Sequence, residues 1–408
     1  MDRLIKWLEK DFAPKMSKIN SNVWVVALKD SIMQILPFIL LGSLFVMLTI
    51  PGDFFEIENW PNFWVPFVWT MGMVSLLVAF LIPFNLMEKR RMRKQRIIAG
   101  ATGIIAFLMI ITPQVVLDGT VGFSHSALGS GGMFIAIISG LFTGFVMGLF
   151  AKFSVFKEDS VIPEFVRSWF DAMFPIAIVI VSLWLVVDLA GFDLYGVING
   201  IFMPLGRAME TPWGFALIMF ISAFLYSMGI SPWVLTPVTD PIWLIAIMAN
   251  INYGASNVAV YETIFTGYMW VGGIGATLPL VVMLMFSKSA KLKALGRASI
   301  APSIFNINEP VVFGAIVWNP IMMLPMWIIG FTMPLFVWLF TKVIEFAPIP
   351  MVVNRMWYMP FPFATWMTFG SFRAIIMVVL CVLFASLIWY PFFKAYEKQE
   401  VANEQAAS

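Results

Sequence analysis

Long apolar runs separated by short polar breaks dominate the chain: Val23 to Ile50, Phe63 to Met87, Ile97 to Val116, Met133 to Phe153, Ala172 to Leu189, Trp213 to Ile230, Ile264 to Phe286, Ile321 to Ile344 and Ala374 to Phe393. Runs of about 20 residues match the thickness of a bilayer core when wound as helices, and they lack the weak alternation of an outer-membrane barrel. Each run is therefore expected to be a helical span, because backbone polar groups facing lipid must be paired within the segment. A shorter run, "VLTPVTDPIWLIAIMA", lies between Ser231 and Asn250 and is interrupted near its start by Pro237, Asp240 and Pro241.

Basic residues orient these spans. The clusters "EKRRMRKQR" (Glu88 to Arg96) and "KSAKLKALGR" (Lys288 to Arg297) are expected on the cytoplasmic side, as are Lys6, Lys10, Lys15 and Lys18 at the amino end and Lys394 and Lys398 at the carboxyl end. Lys152, Lys157 and Arg167 favour the same side for the stretch between the fourth and fifth runs. Parity is satisfied by about ten crossings if the short interrupted run counts as one.

Two stretches fit neither a solvated loop nor a lipid-facing helix. "SIFNINEPVVFG" (Ser303 to Gly314) carries Glu309 and two asparagines within a few positions of each other, and "NRMWYMPFPFATW" (Asn354 to Trp366) is broken by Pro360 and Pro362. Irregular backbone at membrane depth is tolerated where it lines a protein-walled cavity, so a re-entrant hairpin is expected at the first, and the second is another broken region between spans. Most polar and proline-interrupted features fall after about residue 210. That asymmetry divides the chain into an amino-terminal scaffold (1–190), a connecting amphipathic segment (191–210), a substrate-handling region (211–394) and a polar tail (395–408) expected to fray.

Composition agrees with the pattern. The 408 residues are 61% hydrophobic and 12% charged, outside the range of a soluble domain. The formal net charge of +2 points to no nucleic-acid partner, and none is expected. The single cysteine, Cys381, lies within an apolar run and reads as a small buried hydrophobe, so no disulfide, thiol-metal site or thiol phosphoryl carrier is expected. His125 is the only histidine and is placed outside by the topology, which leaves no histidine-based metal site. No cofactor is called for. The amino-terminal "MDRLIKWLEKDFAPKMSKIN" has no apolar core followed by a cleavage site and does not read as a signal peptide.

The candidate chemistry is that of binding. A carboxylate at mid-membrane costs about 2.5 to 3.5 kcal/mol on insertion scales, so Glu309 is a functional candidate, and Asn308 beside it suits a ligand rich in hydroxyls. Trp357, in the second broken stretch, can stack on the apolar face of a sugar ring. The glycine-rich "GGIGATLPL" (Gly272 to Leu280) lies inside an apolar run, lacks the context of a phosphate loop and is expected to serve close helix packing.

Together these motifs resemble enzyme IIC, the membrane subunit of the sugar phosphotransferase system, in its lactose, cellobiose and diacetylchitobiose branch. "LKDSIMQILPFILLGSLF", "LGSGGMFIAIISGL", "VIPEFVRSWFDAMFPI", "DPIW", "GGIGATLPL", "FNINEPVVFG" followed by "NP", and "YPFFKAYEKQ" occur here in the order of that family. The resemblance implies an all-α polytopic membrane protein with two re-entrant hairpins that moves its substrate domain in an elevator-like way. It also implies a homodimer built on the first five helices, and a separate phosphorylated enzyme IIB carrying a phosphocysteine, a role that Cys381 does not match. Glu309 and Asn308 fit the signature's sugar-binding pair, and Trp357 fits the family tryptophan, with "SFRA" following where relatives usually have "DWRA". Where family members have a tryptophan five residues before a "GIH" histidine, this chain reads "YSMGIS", putting Tyr226 and Ser231 in those places. The "FGAIVWNP" element is also one residue shorter and lacks a proline.

The expected function is thus a permease for a disaccharide or β-glucoside in a bacterial cytoplasmic membrane, both termini inside, with phosphorylation by the partner. An ion-coupled secondary sugar transporter is the alternative, because broken helices and an intramembrane acid also suit ion coupling. A membrane-embedded enzyme lacks a paired acid and base or a metal cluster in the sequence.

Overall fold

The computed structural model describes Lys15, Lys18 and residues 21–55, 57–112, 114–115, 119–150 and 163–407. Lys6, Lys10, Lys152 and Lys157, expected to mark cytoplasmic ends, lie outside the described residues. Regular structure is almost wholly helical. Among the described residues the one β pairing is a two-residue antiparallel match of Gln114–Val115 with Val121–Gly122.

Among the described residues six helices are long and apolar enough to cross a membrane. They are α3 (Trp64–Lys89), α5 (Ser130–Leu149), α6 (Trp169–Leu189), α9 (Pro232–Tyr253), α12 (Pro320–Val343) and the bulk of α14 (Phe372–Ala407). The remaining elements are α1 (Val23–Gln34), α2 (Leu36–Phe55), α4 (Arg96–Ile110), α7 (Leu194–Met209), α8 (Pro212–Ser227), α10 (Leu278–Met285), α11 (Ala290–Ile304) and α13 (Phe363–Phe369). α7 and α8 meet at a 90° bend, with Pro212 at the first helical position of α8 and Thr211 capping it by accepting from the Gly214 amide. Apolar runs outnumber long helices partly because some helices are shorter than the runs that hold them: α4 has 15 residues and α8 has 16.

The chain folds as two compact units, Ile19–Leu205 and a second made chiefly of Gly206–Ser408. In the first, α3, α4 and α5 pack on one another through small residues, the usual route to tight helix contact where lipid offers no hydrophobic drive. A β-carbon on Gly144 would lie 2.6 Å from Leu86 Cδ2, and one on Gly140 would lie 2.9 Å from Ile82 Cβ. Buried Asn85 ties α3 to α1, donating to Ser31 Oγ at 2.9 Å and Gln34 Oε1 at 3.1 Å. The basic turn after α3 is held by its own acid, Glu88, which accepts from Arg93 and Arg96, while Lys89 pairs with Asp30 at 2.7 Å. His125 is exposed, as expected.

In the second unit α8 runs along α12, with Gly330 admitting Ala223 to 2.7 Å of where its β-carbon would sit. α10 and α11 form a hairpin flanked by α14. Two expectations are corrected here. The run Ile264 to Phe286 is not one helix: a π-helical turn, Glu262–Gly267, gives way to irregular backbone before the eight-residue α10 begins at Leu278. The glycines of "GGIGATLPL" accordingly serve a loop, with Gly272, Gly273 and Gly275 at φ of +83°, +96° and +87°. Such backbone is open to glycine and strained for other residues.

The second correction concerns the carboxyl end, which does not fray but continues as α14 to Ala407. The reason is a docking contact: Glu404 accepts from Ser289 Oγ at 2.7 Å and from the Ala290 and Lys291 amides at the start of α11, satisfying donors a helix amino terminus otherwise leaves open. Nearby, Lys291 donates to Glu400 at 2.7 Å, and this bond pushes the lysine's pKa upward.

Candidate functional site

Three irregular segments of the second unit converge. The first is the loop 268–277. The second is the break between α11 and α12, where a three-residue helix, Glu309–Val311, runs into a π-helical turn, Val312–Ile316. The third is the stretch 354–362 before α13. Side-chain amides sew them together, as they must where irregular backbone is kept from water.

Asn306 occupies the left-handed region at φ +61°, which asparagine tolerates better than most residues. From there its Nδ2 donates to the carbonyls of Trp357 at 2.7 Å and Met359 at 2.9 Å, while its Oδ1 accepts from the Gly272 amide at 3.0 Å. One side chain thus joins all three segments. Asn308, buried, donates to the Ile274 carbonyl at 2.9 Å and to Thr277 Oγ1 at 3.1 Å, and accepts from the Tyr226 hydroxyl at 3.2 Å. Gly273 is required beneath it, since a β-carbon there would come within 2.5 Å of Asn308 Cγ.

Of the five residues singled out from the sequence, four meet or adjoin here. Tyr226, at the end of α8, bonds Asn308 and also interacts with the Glu309 carboxylate. Glu309 itself is exposed at the start of its short helix and so open to a ligand. Trp357 is half-buried, its ring 6.5 Å from that of Trp233 at an interplanar angle of 61°. Asn308 differs from expectation in its chemistry: both its N–H donors are already used within the protein, so only a remaining lone pair on Oδ1 is open to a ligand. Ser231 is half-buried before the turn Pro232–Leu235, and its hydroxyl makes no capping bond there. Two positions on, the ring of Trp233 meets that of Trp357.

Sequence reasoning missed a second cluster. The guanidinium of Arg355, 2% exposed, lies 3.4 Å from Glu262, which is 0% exposed, and 4.0 Å from Asp240, and it covers the Tyr261 ring at 4.1 Å from the centroid. The signal was available: the logic that marks Glu309 as an intramembrane acid applies equally to Glu262 in "YETIF" and Asp240 in "TDPIW". Arg355, two residues before Trp357, thereby fixes the third segment against α9 and the π-helical turn. Asn354 adds a bond to Thr368 Oγ1 at 3.0 Å and accepts from Met356 N at 3.1 Å.

The arrangement is suited to binding. An exposed carboxylate, a nearby phenol and an adjacent indole make one polar and one apolar face, the combination a sugar ring presents.

Comparisons with known proteins bear on the same point. The family model described as "Phosphotransferase system, EIIC" matches residues 29–330. The chain is similar to the cellobiose-specific EIIC component of Geobacillus stearothermophilus, at 29% identity over 100% of this chain and 97% of that protein. It is also similar to the lactose-specific EIICB component of Staphylococcus epidermidis, at 29% identity over 100% of this chain and 73% of that one. Among solved structures it superposes on the transporter ChbC, the IIC component from the N,N'-diacetylchitobiose-specific phosphotransferase system, with a TM-score of 0.85, 27% identity, and coverage of 98% of this chain and 99% of that one.

Proposed function

The chain belongs to the phosphotransferase system EIIC family, and from that premise we propose how its site serves sugar uptake. It is an integral membrane permease subunit whose substrate is a sugar and whose partner is an EIIB component. The sugar is a disaccharide or a β-glucoside. Glu309 accepts hydrogen bonds from its hydroxyls, Asn308 offers its open Oδ1 lone pair, Trp357 stacks on a ring face, and Tyr226 and Ser231 complete the wall.

Binding precedes transfer. Once the loaded site faces the cytoplasm, a sugar hydroxyl oxygen takes the phosphoryl group from the partner's phosphocysteine: the S–P bond breaks as the O–P bond forms, the cysteine leaves as thiolate, and the hydroxyl proton passes to that thiolate or to water. This chain binds and translocates. The unit Ile19–Leu205 is the scaffold of a homodimer, and Gly206–Ser408 carries the sugar across a bacterial cytoplasmic membrane with both termini on the cytoplasmic side.

The observation that carries this reading is the convergence of Tyr226, Asn308 and Glu309, with Asn306 fastening the Trp357 segment to the same loop. The test is uptake of labelled disaccharides and β-glucosides into vesicles holding the full chain, with and without phosphoenolpyruvate and the soluble phosphotransferase proteins inside. Phosphorylated sugar formed only with those proteins is the expected result. Unmodified sugar accumulating on an ion gradient would replace it with the ion-coupled alternative, for which buried Asp240 and Glu262 would be the first residues to probe.

A further inference from the structure

Charges are sorted by sign where α14 meets the turn between α10 and α11. The acids are taken up inside: Glu397 accepts from the Lys288 amide at 2.7 Å, Glu400 from Lys291 Nζ at 2.7 Å, and Glu404 from Ser289 Oγ at 2.7 Å. Lys288, Arg297 and Lys398 are exposed, and among the described residues none of their side chains pairs with a carboxylate. An end that engages its carboxylates within the fold and shows its cations presents a positive field to whatever approaches it.

This end stands clear of the bilayer. α14 has 36 residues, about 54 Å of helix, against a hydrocarbon core of about 30 Å. Its apolar run closes at Phe393, and Glu404 lies roughly 16 Å further along the helix, past a headgroup layer about 5–8 Å deep. The bonds from Glu404 to Ser289, Ala290 and Lys291 hold the amino end of α11 at the same height. Attraction to anionic headgroups fades within about 8 Å at physiological salt, so lipid is a poor match for cations placed there.

The projection also leads to the sugar site. From it α11 runs 15 residues, about 22 Å, to Ile304, which lies just before Asn306, Asn308 and Glu309. A soluble protein that hands a phosphoryl group to a sugar at Glu309 needs a foothold within its own width of that carboxylate, and a small domain is about 30 Å across. The group it carries brings roughly −1.5 to −2 charge, opposite in sign to the exposed cations.

We propose that the turn between α10 and α11, together with the last turns of α14, is the docking surface for the phosphorylated EIIB partner, whose acidic face around the phosphoryl group meets Lys288, Arg297 and Lys398. The inference rests on the permease reading, with this end in the cytoplasm, and adds where the phosphoryl donor lands.

The test is the rate of sugar phosphorylation by the purified full chain in phosphatidylcholine nanodiscs, titrated with purified cognate EIIB kept phosphorylated by phosphoenolpyruvate and the general phosphotransferase proteins. Lys288→Glu, Arg297→Glu and Lys398→Glu together raise the EIIB concentration needed for half-maximal rate by roughly tenfold or more, and added salt weakens the unmodified protein more than the variant. The KM for sugar and the thermal midpoint stay where they were. Should the charge reversal lower the midpoint, Lys288→Gln with Lys398→Gln replaces it, and a several-fold rise is expected. An unchanged dependence on EIIB overturns the inference and leaves the permease reading intact. A difference between variant and unmodified protein that appears only when phosphatidylglycerol is added to the nanodiscs also overturns it, because the cations then serve lipid. Absence of phosphorylated sugar from the unmodified protein at every EIIB concentration overturns both readings together.

Discussion

Asn306 donates its side-chain amide to the main-chain carbonyl of Trp357 across 2.7 Å, and so a residue three positions before Glu309 holds the backbone of the tryptophan proposed to share its sugar. The bond makes the two halves of the site a single unit. Neither residue need touch the other's side chain for the coupling to operate.

Asn306→Gly keeps the left-handed backbone at φ +61° but removes the donors to Trp357 and Met359. Each lost bond is worth about 0.5–1.5 kcal/mol. Sugar affinity is expected to fall roughly tenfold, with uptake retained at saturating sugar. A titration giving unchanged affinity would show that the Trp357 segment is held by other contacts.

Glu309→Gln preserves shape and removes charge. A hydrogen bond to an ionised group contributes about 1.5–3 kcal/mol, so the dissociation constant for sugar should rise roughly 10- to 150-fold. Because Glu309 is exposed, the thermal midpoint of the purified protein should stay where it was. A midpoint that drops alongside affinity would identify the carboxylate as structural.

Arg355→Met strands Glu262 and Asp240, both buried, without their cation. Removing one partner of a buried ion pair costs about 3–5 kcal/mol. Thermal unfolding in detergent should show a clear loss, and adding Glu262→Gln to that variant should restore part of it. Absence of any recovery in the double variant would mean that the arginine acts by packing on Tyr261 alone.

Gly273→Ala adds a methyl group at φ +96° and presses it against Asn308 Cγ. The backbone strain alone costs more than about 1 kcal/mol. Displacing Asn308 also disturbs Tyr226 and Glu309, so sugar affinity should fall more than stability does. Comparable sugar binding in the variant, measured by the same titration, would show that the loop 268–277 yields without moving Asn308.

What the amino-acid sequence determined by itself was the membrane class, most of the spans and the oddity of "SIFNINEPVVFG". Each is a local property: about 20 apolar residues bury themselves in lipid whatever surrounds them, and a carboxylate among them is costly wherever it lies. That logic reached Glu309, Asn308 and Trp357 one at a time. Tertiary structure decided the rest, for reasons a window of hydropathy cannot hold. Gly272–Thr277 is as apolar as a helix would be, yet it becomes a loop because Asn306 and Asn308, from a distant stretch, supply the hydrogen bonds its backbone lacks. Arg355, Glu262 and Asp240 are each expensive alone in an apolar setting, and only the fold brings them close enough to offset one another. The carboxyl tail is polar and looks free in sequence, and it becomes helix because Glu404 finds the open end of α11. Burial is summed along a segment, whereas the pairing of polar groups is settled between segments, which is why the spans could be read in order and the site could not.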